Sequence, residues 1–220
     1  MLNLEYINTS YELTETSLLI DLKQIQNIPE ITTVVLPHYF VKYARGALGY
    51  EKNISCLIDY PMGMSDIKNR AQLSSYATKN LANCIDIVVP SHYLTNRKYN
   101  KIREDICQQK EICKNVRYIF EYRSYDHQYL KKMGQILLEN GLDTVCVSTG
   151  QSLDVLSDSL IASQFLLSEI PGIKTIINSN FWNTRHFDLL FKITQNSSIR
   201  SSSLFTIKSL IAYYIQNTKK

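Results

Sequence analysis

A (β/α)8 barrel, folded as one domain over residues 1–220, is the fold class this sequence predicts. Three observations carry that expectation. Eight short runs rich in Val and Ile, bounded by Pro, Gly, Asn or Ser, have the character of buried parallel strands. The longer stretches between them carry apolar residues at helical spacing. No low-complexity linker or short-period repeat divides the chain, so the alternation runs from end to end. An open doubly wound sheet obeys the same alternation, and periodicity alone cannot close the barrel.

In chain order the strand runs are NLEYI (3–7), ITTVVL (31–36), ISCLI (54–58), CIDIVV (84–89), VRYIFE (116–121), TVCVS (144–148), KTIINS (174–179) and, with the weakest pattern, SSIR (197–200). Among the helices, SDIKNRAQLSSYATKNLAN opens on Ser65 as its N-cap, with Ile67, Ala71 and Leu81 near one face. DHQYLKKMGQILLENG aligns Leu130, Met133, Ile136 and Leu137 and stops at Asn140-Gly141. SDSLIASQFLLSEIPG stops in the same way at Pro171-Gly172.

Hydrophobic residues make up 45% of the chain and charged residues 20%, an ordinary balance for a globular domain with a sizeable core. The longest apolar runs, SLLIDL and IDIVVP, are too short to span a bilayer, and MLNLEYINTS lacks the pattern of a secretory signal. A cytoplasmic protein without a membrane partner is expected. Cys56, Cys84, Cys107, Cys113 and Cys146 are scattered, with no CxxC pair, which argues for reduced thiols rather than disulfides or a cysteine-rich zinc site. The net charge of +4 is mild. The basic stretch NRKYNKIRE (96–104) and the terminal TKK fit solvated helix surface and a tail better than a nucleic-acid contact.

Barrels of this kind place their chemistry at the C-terminal ends of the strands. That rule selects Glu5, Pro37-His38, Asp59, Asp86, Glu121, Cys146, Asn178 and the serines after the last strand. Asp86, inside an apolar run, is the sharpest signal, because a buried carboxylate is costly unless paired. His38 and His92 follow strands two and four, but a metal centre needs a better ligand set, and neither metal nor cofactor is expected. The YPMG loop (60–63) has the composition of a turn fixed by Pro and Gly.

Several of these stretches, in order, resemble the deoxyribose-phosphate aldolases, class I aldolases with a (β/α)8 fold. ISCLIDYPMGMSDIKNRAQ is similar to that family's third strand, Phe-Pro-x-Gly loop and following helix, and NCIDIVVPSHYLTNRKYNKIREDI to its Glu-Ile-Asp-x-Val-x segment. VRYIFEYRSYDHQYLKKMGQILLENGLDTVCVSTG resembles the fifth strand and helix and the Ser-Thr-Gly that ends strand six. KTIINSNFWNT and SSIRSSSLFTIKSLI occupy the places of strands seven and eight, and LEYINTSYELT resembles the family's Ile-Asp-His-Thr start.

The resemblance implies reversible joining of acetaldehyde to glyceraldehyde 3-phosphate through a lysine imine, whose iminium is the electron sink when the carbon–carbon bond breaks. A second lysine would depress the pKa of the first, and an aspartate would help move protons. Of these only the aspartate is retained, as Asp86. Cys146 stands where the imine lysine is expected and Ile177 where the supporting lysine is expected. Lys174 lies three residues too early, an odd offset that turns it to the other strand face. The diglycine at the mouth of strand seven becomes Asn180-Phe181, the N-terminal aspartate becomes Glu5, the basic residue of strand five survives as Arg117, and Gln151 replaces the lysine after Ser-Thr-Gly.

RSSSLF resembles the family's Gly-x-Ser-Ser phosphate segment, with Ser202 and Ser203 opening the last helix and Arg200 in place of the glycine. These serines are either a phosphate cradle or a helix cap, since both need the same geometry. Asp86 is better explained as a buried acid paired with Arg117 than as a catalytic remnant, and Cys146 as a small apolar filler than as a reactive thiol. Glu121 could accept a proton or form an ion pair. With both lysines replaced, the resemblance implies a pseudoenzyme kept for ligand binding or protein assembly. The alternative is a working aldolase-like lyase or altered sugar-phosphate enzyme, which needs either another lysine entering the barrel or a non-standard site built on Asp86, Glu121 and Cys146. A mouth plugged by Tyr60, Phe181 and Trp182 would favour the pseudoenzyme. The expected partners are a sugar phosphate or other anionic small molecule, a protein partner, or a second copy of the chain.

Overall fold

The computed structural model describes residues 2–151, 155–193 and 197–218. Eight parallel strands close on one another in sequence order: β1 (Leu4–Ile7), β2 (Ile31–Pro37), β3 (Asn53–Ile58), β4 (Cys84–Val88), β5 (Val116–Ile119), β6 (Thr144–Cys146), β7 (Lys174–Asn178) and β8 (Ser197–Ser201). β8 returns to pair with β1, Arg200 lying opposite Glu5, so the sheet has no free edge. The open doubly wound alternative is thereby excluded.

Helices α1 (Glu15–Gln26), α2 (Val41–Leu48), α3 (Ile67–Lys79), α4 (Ser91–Thr95), α5 (Tyr99–Ile112), α6 (His127–Glu139), α7 (Leu156–Glu169), α8 (Thr184–Ile193) and α9 (Leu204–Thr218) fill the connections and follow β8. The fourth connection carries two of them, α4 and α5, and a 3-10 turn over His38–Phe40 precedes α2.

Local chemistry accounts for most boundaries. Thr14 caps α1 by a reciprocal pair with Ser17. α6 buries Leu130, Met133, Ile136 and Leu137, and the chain then turns at Gly141, whose φ of +74° favours glycine. α3 departs from expectation at both ends. Its N-cap is Asp66, because Ser65 is drawn away to the Asp59 carboxylate. Its buried face is Arg70, Ala71, Ser74 and Ala77, while Leu81 lies beyond the helix and is exposed.

Strand alternation separates two cores. Outward-facing residues such as Tyr6, Val34, Ile85, Tyr118, Val145, Ile177 and Ile199 pack against the helices. Inward-facing Ile7, Val35, Leu57, Val88, Ile119, Cys146 and Ile176, one from each of β1 to β7, form a separate apolar cluster inside the barrel. From β8 the inward side chains are Ser198 and the charged Arg200.

Candidate functional site: the barrel interior and its mouth

Inside the barrel, four charged side chains neutralise one another. Arg200 donates from Nε and Nη2 to Glu5 Oε2, at 2.9 and 2.6 Å, and from Nη2 to Asp86 Oδ2. Arg117 donates from Nε to Asp86 Oδ1 at 2.7 Å and from Nη1 to Glu5 Oε1 at 2.5 Å. Ser55 adds a hydroxyl to Asp86 at 2.8 Å. Two carboxylates thus face two guanidinium groups, with Asp86 and Arg200 wholly buried. Such a cluster is tolerable in a low-dielectric interior because its charges balance and its acceptors are filled. Burial alone would raise the Asp86 carboxyl, but Arg117 and Arg200 outweigh it and hold it down at about 2. Burial would also lower the Arg200 guanidinium, yet Asp86 and Glu5 raise it above its ordinary value.

Cys146 belongs to this interior. It is fully buried, its sulfur lies 3.7 Å from Arg200 Nη1 and 3.2 Å from the Ser148 carbonyl, and burial pushes its thiol up to about 11. Cys56 and Cys84, also buried, are pushed up to about 12. None of these thiols has the depressed pKa of a nucleophilic cysteine.

Several expectations require correction. Glu5 and Arg117, expected at the mouth, lie in the interior charge cluster, and Arg117 borders a cavity at the strand starts with Lys114, Asn115 and Thr144. Arg200 does not stand at the phosphate segment: the alternation of β8 turns it into the barrel, where both carboxylates claim its guanidinium. Ile177 does not line the mouth, because it faces the helices, and its neighbours Ile176 and Asn178 face the axis instead. Lys174 therefore shares the inward parity of Ile176 rather than opposing it. It nevertheless sits at the N-terminal rim, exposed and paired with Asp143 at 2.6 Å.

The C-terminal mouth is built by loops. Asp59, at a φ of +55°, accepts from Ser65 and from Arg70, and Arg70 also holds Asp105 and the Val88 carbonyl. This second buried ion cluster anchors the YPMG loop. Gly63, at a φ of +63°, fits there because a Cβ would stand 2.2 Å from the Val89 carbonyl oxygen. The loop lays Tyr60 against the apolar interior cluster, and its hydroxyl donates to the Thr149 carbonyl at 2.6 Å. Tyr60 is the only one of the three expected aromatic plugs at the axis. Phe181 is buried against Phe187 in the outer core, and Trp182 is exposed beside His186.

Glu121 accepts from the backbone and hydroxyl of Thr149 through Oε2. Asn178 donates to the carbonyls of Ser148 and Thr149, tying β7 to the loop after β6. Ser203 caps α9, accepting from the Thr206 amide at 3.2 Å. Ser202 and Asn180 line a small cleft of about 100 Å³ with Ser179 and Gln151. Two larger cavities open at the same face. One of about 510 Å³ runs between His38, Asp59, Tyr60 and Met62; the other, of about 410 Å³, runs between Met62, Met64, Ser91, Glu121 and Tyr125.

Sequence reasoning missed Ser55 and Arg70. An arginine within a helical stretch has no feature marking it as buried, and a serine in a strand none marking it as a carboxylate partner. Among the described residues, no group of three or more His, Cys, Asp or Glu is placed to hold a metal ion, and no helix is long and apolar enough to cross a membrane.

A closed parallel (β/α)8 barrel with a loop-built mouth over its strand ends is the class of protein that this fold and site define. No family model matches the chain. It is similar to curated deoxyribose-phosphate aldolases: 25% identical over 120 residues to that of Clostridium botulinum strain Eklund 17B, a match spanning 54% of each chain. To the enzyme of Mycoplasmopsis synoviae strain 53 it is 27% identical over 157 residues, 66% of this chain and 70% of that one. The chain thus spans about half the length of the first of these relatives. Its fold is that of the solved structure described as QR15, an aldolase, with a TM-score of 0.82 and 17% identity over 97% of this chain and 96% of that one.

Proposed function

We propose that this chain is a divergent member of the deoxyribose-phosphate aldolase family that binds a small molecule at its mouth without imine chemistry. The observation that carries the reading is the cation inside the barrel. Asp86 keeps a positive partner beside Cys146, but the partner is Arg200, delivered from β8. A guanidinium stays protonated and cannot add to a carbonyl as a lysine amine does. Cys146, at the position where the resemblance expects the imine lysine, is a buried thiol, and a thiohemiacetal supplies no comparable electron sink. Cys146 shares one apolar layer with Ile7, Leu57, Ile119 and Ile176, and Tyr60 packs against that layer. Lys52 is buried, but its ammonium donates to the Ile28 carbonyl outside the barrel at 2.8 Å.

The similarity to curated aldolases favours a second reading, an active lyase that uses another lysine. Borohydride trapping with deoxyribose 5-phosphate, followed by intact mass beside an active aldolase, separates the two. The binding reading expects no mass increase while the control is labelled. A reduced adduct, located by peptide mapping, would establish the lyase instead.

A further inference from the structure

The three cavities at the mouth share one chemical feature. None of the residues that line them is Lys or Arg, and their charged members are the carboxylates Asp59 and Glu121. Three arginines close to these cavities are engaged by carboxylates: Arg70 by Asp59 and Asp105, Arg200 by Glu5 and Asp86, and Arg123 by Asp158. Among the described residues lining these cavities, a phosphate dianion would meet the carboxylates Asp59 and Glu121 and no lysine or arginine.

Among the described residues, Glu121, Ser179 and His92 each carry a buried polar atom at this face with no partner, and the first two border the cavities. Glu121 Oε1 is shielded from solvent but accepts no hydrogen bond, although Oε2 of the same carboxylate is filled by Thr149. The hydroxyl of Ser179, itself more than nine-tenths buried, is also unpartnered and borders the small cleft. An unsatisfied buried acceptor is costly, and an ionised carboxylate can only accept. The missing partner is therefore a donor, O–H or N–H. Around it stand neutral hydrogen-bonding groups, Ser91, Ser124, Thr149 and Gln151, beside Met62 and Met64, whose side chains suit the C–H faces of a small ring. Gln151 is common to all three cavities, so its lack of charge sets the character of the whole mouth.

We infer that the mouth recognises a phosphate-free polyhydroxylated molecule of the sugar or amino-sugar class, with Glu121 accepting a hydroxyl or ammonium hydrogen from it. This rests on the proposal that the mouth is a binding site, and it narrows the anionic ligand expected from the family resemblance.

The test is an NMR titration of the full chain with 2-deoxyribose, glucosamine, deoxyribose 5-phosphate and inorganic phosphate. Glucosamine and deoxyribose are expected to bind saturably and to compete, with deoxyribose 5-phosphate weaker than the free sugar. Glu121→Gln, which retains an acceptor for Thr149, is expected to weaken glucosamine at least about tenfold, the loss of one charge-assisted hydrogen bond. Gln151→Lys, at an exposed position, is expected to reverse the order in favour of deoxyribose 5-phosphate. Preference of the unmodified chain for the phosphate ester, indifference of glucosamine to Glu121→Gln, or no saturable binding by any of the four would overturn the inference. The borohydride adduct is a separate readout: it would sink the binding-only reading and leave the ligand preference to be judged from the titration.

Discussion

Arg200, 3.7 Å from Cys146, pairs with both Glu5 and Asp86, and these pairs explain how one barrel can hold a buried carboxylate pair without a lysine. Asp86 needs a cation in its low-dielectric surroundings, and Arg200 with Arg117 supplies it from two strands. Removing either partner strands a charge, which costs far more than the net worth of the pair. Arg200→Met is therefore expected to destabilise the protein by about 3–5 kcal/mol in urea unfolding. A loss below about 1 kcal/mol would mean that the cluster is hydrated rather than dry. The thiols make a second residue-scale prediction. Cys107 is exposed and the other four are buried, so one thiol should react promptly with a chromogenic disulfide and the rest only in denaturant. Prompt labelling of Cys146 would show that the apolar layer it belongs to opens.

At the scale of the element, the loop between β3 and α3 is the part that most directly shapes the mouth. It is held from below by Asp59 and Arg70 and pinned to the next connection, where Ser91 donates its amide to the Gly63 carbonyl. Gly63→Ala combines a left-handed backbone with a Cβ that has no room beside Val89, so a loss exceeding about 1 kcal/mol is expected. If the loop positions Tyr60, the substitution should also increase Tyr60 exposure and weaken ligand binding. Unchanged stability in thermal melts would contradict so close an approach of Gly63 to Val89. The elements themselves are well marked in the sequence. The Val- and Ile-rich runs lie within a few residues of β1 to β8, and Gly141 and Gly172 follow α6 and α7 closely. The start of α3 differs by one residue from the sequence expectation because two neighbours, Ser65 and Asp66, can both cap. Only the position of Asp59 decides between them.

For the molecule as a whole, the charge cluster couples the closed barrel to pH. The Asp86 carboxyl is lower in the folded chain, at about 2, than in an unfolded one, at about 4. A group depressed on folding contributes stability above its unfolded pKa and loses it as pH falls through the folded one. Its share, on the order of 2 kcal/mol, should therefore be constant from pH 7 to 5 and disappear between about pH 4 and 2. The thermal midpoint of Asp86→Asn, compared with the unmodified chain across that range, checks the sign. The difference between the two should narrow on acidification, and a constant difference would sink the assignment.

The barrel can be inferred from the sequence because strand and helix periodicities are local properties, written within a few residues of each other. The identity of the interior charges is also partly visible: an aspartate inside an apolar run demands a partner, and Arg117 is the cation the sequence offers. The second partner is not visible there. The parity of β8, and with it the inward course of Arg200, depends on the register between β8 and its neighbours, which closure alone sets. The same closure turns Ile177 outward and Ile176 inward, since a shift of one residue exchanges the faces of a strand. Residue types and their order are enough to predict alternating elements. Which side chains share the axis, which cations are already taken and which carboxylate oxygen lacks a donor depend on distances between strands remote in sequence, and only the folded barrel decides them.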